Sequence, residues 1–360
     1  MSMVIAGRPV GRDHKPFVIA ELSANHNGSL ERALHLVEAA AKAGADAVKV
    51  QTYTADTMTL DIAEGEFFID DPKSPWRGRS LYELYRAAHT PWEWHAAIME
   101  KCREMGVAFF STPFDETAVD FLESLGVPCY KIASFEATDL PLIRKAASTG
   151  KPLILSTGMA TAAEIDEAVR TAREAGCCEL AVLKCTSTYP APAEQSDLRT
   201  IPHMREWLGC EVGLSDHTPG IGVSVAAVAL GAALIEKHLT LSRADGGVDA
   251  AFSLEPDEFA LLVRETERAW RALGRVRYGP VESEAGSLRH RRSLYAVRDI
   301  QAGETLTREN VRAIRPAGGL SPKYWNVVAG KRARRDIARG TPISWELLMD
   351  AGDGEGSGRG

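Results

Sequence analysis

Three kinds of signal are missing from this sequence, and each absence removes a class of protein. There is no CxxC pair among the six cysteines, Cys102, Cys129, Cys177, Cys178, Cys185 and Cys210. A cysteine-based zinc site and a disulfide framework are therefore not expected, and the thiols read as reduced and mostly buried. No apolar run approaches the roughly 18 residues that a membrane span needs, and the start, MSMVIAGRPVGRDHK, lacks the apolar segment of a secretory signal. A soluble, cytoplasmic protein with no membrane partner is expected. Charge of one sign is also lacking. The net charge is −7, and the basic clusters Arg289–Arg292 and Lys331–Arg335 are short and separate. They read as solvated faces, so no nucleic-acid partner is expected.

What is present is alternation. Eight short apolar runs recur: Phe17–Leu22, Asp46–Gln51, Val107–Thr112, Pro128–Ser134, Pro152–Thr157, Glu179–Cys185, Cys210–Asp216 and Leu234–Leu239. Their Val, Ile, Leu and Phe content suits parallel strands buried on both faces. Between and after them lie amphipathic stretches: Ser29–Ala43, Thr90–Met105, Asp115–Leu125, Asp139–Ser148, Thr161–Ala175, Asp197–Leu208, Gly220–Leu230 and Pro256–Leu273. Ser29 reads as an N-cap and Thr161 with Glu164 as a capping box. Eight strand–helix units predict an α/β fold, a (β/α)8 TIM barrel over residues 1–273. The alternative, an open doubly wound sheet, usually carries a glycine-rich phosphate loop after its first strand; here that strand ends in ELSANHNGS. A polar linker is predicted at 274–290, then a small β-rich domain at 291–350. Within it, Arg298–Gly303 and Arg335–Gly340 echo one another, which predicts two related turns. Residues 351–360, rich in Gly and charge, read as a disordered tail.

A barrel places its chemistry at the carboxyl ends of its strands. Those ends are polar at nearly every strand. His217 follows the seventh strand and His238 closes the eighth, so two imidazoles converge and could hold a divalent metal. Glu21, Lys49, Gln51, Ser111, Thr112, Lys131, Ser134, Ser156, Thr157, Lys184, Ser187, Ser215, Asp216, Glu236 and Lys237 occupy or adjoin the other ends. Several lysines with several hydroxyls suit a small, densely anionic ligand bearing phosphate and carboxylate. Cys185 reads as a packing residue. Spacing alone leaves a metal-assisted lyase, aldolase or transferase open, along with a Schiff-base aldolase that keeps one lysine neutral.

The segments AELSANHNGS, DAVKVQT, FFSTPF, YKIASFE, LILSTGM, KCTSTYP, GLSDHT and EKHLTL resemble the sialic acid synthase family. SLYAVRDIQAGE and IRPAGG resemble its antifreeze-like (SAF) domain. The runs VKVQTYTADTMTL, LYELYRAAHTPWEWH, AAFSLEPDEF and RPAGGLSPKY are similar to the pseudaminic acid synthase branch. That resemblance implies a transferase joining phosphoenolpyruvate to an acylamino sugar, a 2,4-diacetamido-2,4,6-trideoxy-altrose, giving a nine-carbon nonulosonic acid for cell-surface glycans. N-acetylneuraminate or legionaminate synthesis is the alternative within the family, and a non-catalytic carbohydrate-binding protein the alternative outside it. By resemblance, Lys49, Thr112, Lys131, Ser134, Ser156, Ser187 and Ser215 would cradle phosphoenolpyruvate. His217 and His238 would ligate Mn2+ or Mg2+, and Glu21 would orient a water. Gln51, Glu136, Tyr189, Asp249 and Phe252 would meet the sugar. Phe252 with Ala250 and Ala251 would give a 6-deoxy sugar an apolar wall. Arg315 would serve the partner's site in a domain-swapped homodimer.

Overall fold

The computed structural model describes residues 3–72, 74 and 76–349; the tail expected to be disordered, with Asp350, lies outside the described residues. Two compact units divide the chain, Met1–Gly274 and Arg275–Gly360.

The first unit begins with a hairpin, β1 (Met3–Ile5) and β2 (Arg8–Val10), followed by eight strands. These are β3 (Phe17–Glu21), β4 (Ala47–Thr52), β5 (Ala108–Pro113), β6 (Tyr130–Ile132), β7 (Leu153–Ser156), β8 (Leu180–Cys185), β9 (Glu211–Asp216) and β10 (Leu234–His238). All eight pair in parallel, and β10 joins β3 with Leu234 opposite Phe17 and His238 opposite Glu21, closing the barrel. The strands lie where the apolar runs predict them, because a strand covered on both faces must be apolar at successive positions.

Helices α1 (Leu30–Lys42), α4 (His95–Met105), α5 (Glu116–Leu125), α6 (Leu140–Ala147), α7 (Ala162–Glu174), α8 (Thr200–Leu208), α9 (Gly222–Ala229) and α10 (Pro256–Leu273) follow the strands in turn. Ser29 and Thr161 cap α1 and α7 as expected, accepting from the Arg32 and Glu164 amides. One segment departs from the expected plan. Between β4 and α4 the chain inserts α2 (Ala55–Met58) and α3 (Leu81–Ala88), the latter started by a Ser80–Glu83 capping box. Among the described residues, no helix is long and apolar enough to cross a membrane.

Strand parity sorts the core. Val18, Ala20, Val48, Val50, Leu153, Leu155 and Ile235 face outward onto the helices. Phe17, Ile19, Ala47, Phe110, Cys129, Ile154, Ala181, Leu183 and Leu234 face inward and fill the lower barrel, where Met3, Ile5 and Val10 of the hairpin pack beneath them. Gly213 belongs to this inner layer. A Cβ there would lie 2.4 Å from the Leu234 carbonyl oxygen and 2.6 Å from Leu183 Cδ2, so the neighbours already fill its space. Continuing the same inward parity upward, apolar residues give way to Glu21, Lys49, Thr112, Lys131, Ser156, Ser215, Glu236 and His238.

The second unit holds two small antiparallel pairs. These are β11 (Ser293–Ala296) with β12 (Val311–Ile314), and β13 (Arg332–Ala333) with β14 (Leu348–Met349), around Leu294, Ile300, Leu306, Val328, Ile337 and Ile343. A short α11 (Trp325–Val328) intervenes. The two sequence echoes face one another. Ile300 and Ile337 exchange backbone hydrogen bonds of 2.8 Å. Asp299 accepts from the Arg339 amide and Asp336 from the Ala302 amide, both at 2.7 Å.

Candidate active site at the strand ends

The polar upper layer of the barrel opens into a cavity of about 610 Å³. Its floor is a charged cluster. Lys49 Nζ forms an ion pair with Glu21, lies 3.7 Å from Glu236 Oε1 and donates to Thr112 Oγ1 at 3.1 Å. Lys131 Nζ is 3.7 Å from Glu236 Oε2, and Ser215 donates to Glu236 Oε1 at 3.2 Å. Every member is buried. Burial drives the Lys131 ammonium below its ordinary pKa, partly countered by Glu236, and drives the Glu21 carboxyl up, partly countered by Lys49. The Ser156 hydroxyl lies in the same layer with no hydrogen-bond partner.

The two histidines meet on one side of this floor. Their rings are 5.3 Å apart between centroids. His217 Nδ1 faces the Thr186 carbonyl oxygen at 3.1 Å and Cys185 Sγ at 3.8 Å, which directs that nitrogen's proton away from the cavity. The Cys185 interaction raises the His217 pKa against the effect of burial. Burial, then the charge of His217, holds His238 well below the usual histidine range, and its Nδ1 is buried without a partner. Phe252 packs edge-on to His238 at 5.0 Å, and Tyr189 lies against both His217 (4.5 Å) and Phe252 (5.2 Å).

The donor set suits a divalent ion. Internal hydrogen bonding does not account for the His238 ring, and neutral imidazole is a good ligand for such ions. Among the described residues no group of three or more His, Cys, Asp or Glu could hold a metal. His217 and His238 are the two side chains that could hold such an ion.

Around the mouth, Gln51 Nε2 donates to Ser23 Oγ at 3.1 Å, and Ser23 in turn donates to Asp249. Glu136 also lines the cavity; burial pushes its carboxyl up to about 7, and its Oε2 has no partner. Ser134 lines it beside Gly158, where a Cβ would come 2.4 Å from Ser134 Cβ.

Of the expected site residues, the cavity gathers Glu21, Lys49, Gln51, Thr112, Lys131, Ser134, Glu136, Ser156, Tyr189, Ser215, His217, His238, Asp249 and Phe252. Ser187 lies outside the lining, with its Oγ 3.6 Å from Cys185 Sγ. Arg315 is an exposed residue of the second unit, at the end of β12. Besides Ser187, five strand-end residues lie outside the cavity lining: Ser111, Thr157, Lys184, Asp216 and Lys237. Ser111 bonds Thr52, while Asp216 and Lys237 pair behind the barrel at 2.9 Å. Glu236, expected at a strand end but given no role, also faces the cavity, as do Cys185, which read as a packing residue, and Ser23, which the sequence did not mark. For Glu236 and Cys185 the available signal was period-two parity with Lys49 and Ser215.

The NeuB family model matches residues 36–278, and a SAF domain model matches residues 291–349. The chain belongs to the NeuB family. Among NeuB relatives, a pseudaminic acid synthase from Campylobacter jejuni is 46% identical over 334 residues, covering 92% of this chain and 96% of that protein. A pseudaminic acid synthase from Helicobacter pylori is 42% identical over 331 residues, covering 91% and 96%. A solved N-acetylneuraminic acid synthetase from Leptospira borgpetersenii, in complex with citrate, matches with a TM-score of 0.72 at 32% identity, covering 80% of this chain and 95% of that one.

Proposed function

We propose that this NeuB-family chain is an enzyme that condenses phosphoenolpyruvate with a 2,4-diacetamido-2,4,6-trideoxy sugar, releasing phosphate and pseudaminic acid. The observation that carries the reading is the pairing, in one cavity, of a buried dilysine floor with two imidazoles. Lys49 and Lys131 with the hydroxyls of Thr112, Ser156 and Ser215 suit a ligand bearing both phosphate and carboxylate. The unpartnered Ser156 hydroxyl would gain a partner when that ligand arrives.

In the reaction, C3 of phosphoenolpyruvate forms a bond to the aldehyde carbon of the open-chain sugar. Water adds at C2, and the C2–O bond to phosphate then breaks. His217 and His238 would hold a Mn2+ or Mg2+ ion, which when bound supplies Lewis-acid polarisation of the aldehyde. The chain's own residues do the rest. Lys49 and Lys131 hold the anionic ends in place before charge develops. Glu21 accepts from the Ser23 amide at 2.9 Å and is fixed to orient a water. Glu136, with its carboxyl at about 7, can take or return a proton at neutral pH. Gln51, Tyr189, Asp249 and Phe252 form the sugar side, with Phe252 as an apolar surface for the 6-deoxy carbon. Arg315 would complete the site of a second copy in a domain-swapped homodimer, and the protein would work in the cytoplasm.

The test is phosphate release from phosphoenolpyruvate with a panel of acetamido sugars, with and without EDTA. Release with the 6-deoxy diacetamido sugar, lost on chelation, is expected. No release with any sugar would remove the synthase reading. Release with N-acetylmannosamine but not the 6-deoxy sugar would redirect it to sialic acid.

A further inference from the structure

Among the described residues, four that are not glycine have positive φ: Ala6, Ser23, Asn27 and Asp197. Ser23 alone of these lines the cavity. Its φ is 43°, in the left-handed region where glycine is at ease and serine is strained. It is the first residue of the turn that follows Leu22, and only 4% of it is exposed. A buried strained residue persists where its surroundings require its side chain, and such residues cluster at functional sites.

The side chain accounts for the cost. The Ser23 hydroxyl donates to Asp249 Oδ2 and accepts from Gln51 Nε2 at 3.1 Å. One hydroxyl therefore uses both its donor and its acceptor roles to tie a strand-end amide to a carboxylate beyond the eighth strand. The alternatives for these two partners are poor. Gln51 Nε2 is otherwise 3.5 Å from Glu21 Oε1, and Asp249 Oδ2 is otherwise 3.5 Å from the Ala24 amide. Without the hydroxyl, both groups would be free to rotate into the cavity.

We propose that Ser23 determines acceptor specificity, by fixing the Asp249 carboxylate and the Gln51 amide as one rigid acceptor–donor pair facing the acylamino sugar. The inference rests on the proposed synthase function, since it assigns a role within that reaction. Ser23 is a positioning residue: it acts through Asp249 and Gln51. The geometry separates this role from a purely structural one. Glycine at position 23 relieves the backbone and removes the hydroxyl, whereas alanine removes the hydroxyl and keeps the strain.

The experiment compares the unaltered protein with Ser23→Gly and Ser23→Ala, by phosphate release at varied acceptor and varied phosphoenolpyruvate and by thermal melting. Ser23→Gly should melt no lower than the unaltered protein. Its acceptor KM should rise about tenfold, the worth of one well-made hydrogen bond, with the KM for phosphoenolpyruvate within about twofold. The preference between the 6-deoxy diacetamido sugar and N-acetylmannosamine should shrink. Ser23→Ala should show the same acceptor loss and melt below Ser23→Gly. An unchanged acceptor KM in both variants, an equal rise for both substrates, or a lowered melting temperature for Ser23→Gly would overturn the inference while leaving the function intact. Absence of phosphate release by the unaltered protein with every acylamino sugar would overturn the function and this inference with it.

Discussion

Replacing Lys237 by methionine tests what holds the two histidine-bearing strand ends together. The Lys237 side chain is 0% exposed, and its ammonium lies 2.9 Å from Asp216 Oδ2 and 2.5 Å from the Thr218 carbonyl oxygen. Lys237 precedes His238 and Asp216 precedes His217, so the pair is a clasp directly behind the two imidazoles. Removing one partner of a buried pair leaves an uncompensated charge, at a cost of roughly 3–5 kcal/mol. Asp216 keeps three other donors, the Thr218 amide (2.8 Å), the Thr218 hydroxyl (2.7 Å) and the Ser224 hydroxyl (2.6 Å). The lower end, about 3 kcal/mol, is therefore expected. With an unfolding entropy of about 2 cal/mol/K per residue over a unit of this size, that corresponds to a fall of about 5 °C in Tm. Circular dichroism melting of Lys237→Met, Asp216→Asn and the double variant measures it. The double variant should recover part of the loss, because no lone charge remains. A fall of less than about 1 °C in the single variant, or a double variant worse than either single one, would refute the reasoning.

Three further outcomes are expected. His217→Ala or His238→Ala should abolish phosphate release while far-ultraviolet circular dichroism stays unchanged, since both rings lie above the apolar layers that hold the barrel. Ser156→Ala should leave Tm unchanged, because its hydroxyl bonds no other group of the chain, yet raise the KM for phosphoenolpyruvate about tenfold. Glu136→Gln should stabilise the protein at alkaline pH. Burial raises the Glu136 carboxyl in the folded state to about 7, so the folded protein binds more protons than the unfolded one between its ordinary range and 7. Stability from this group therefore falls as pH rises through that window, by an amount on the order of 2 kcal/mol, and the amide variant removes the fall. Melting at pH 5 and pH 8 decides it: an equal difference between variant and parent at both values would count against a raised carboxyl.

The barrel was legible because two periods coincide with their physical causes. Strands buried on both faces must be continuously apolar, and helices packed on one face must repeat their apolar residues about every 3.6 positions. The site was legible as a set of strand ends. It was blurred by one position at several of them. Ser111, Asp216 and Lys237 sit at strand ends but point toward the helices, whereas Glu236 points inward beside Lys49 and Lys131. A single step in register exchanges the two faces of a strand, and composition does not mark which step is correct. The insertion with α2 and α3 left no strand-end signal at all, although Tyr53, Leu81, Leu84 and Tyr85 line the cavity. Ser23 was hidden for a different reason. Left-handed backbone is normally announced by glycine, and here serine stands in that place.

The paired echoes of the second unit make it a dimer of itself within one chain. Asp299 closes the turn of the later copy and Asp336 closes the turn of the earlier one, while Ile300 and Ile337 pair at the seam. Each copy finishes the other, so the set is complete at two. A third copy would find no open turn to fill, and a single copy would expose a turn that nothing closes. A cut between the echoes should thus leave two fragments that reassociate rather than one folded and one unfolded half.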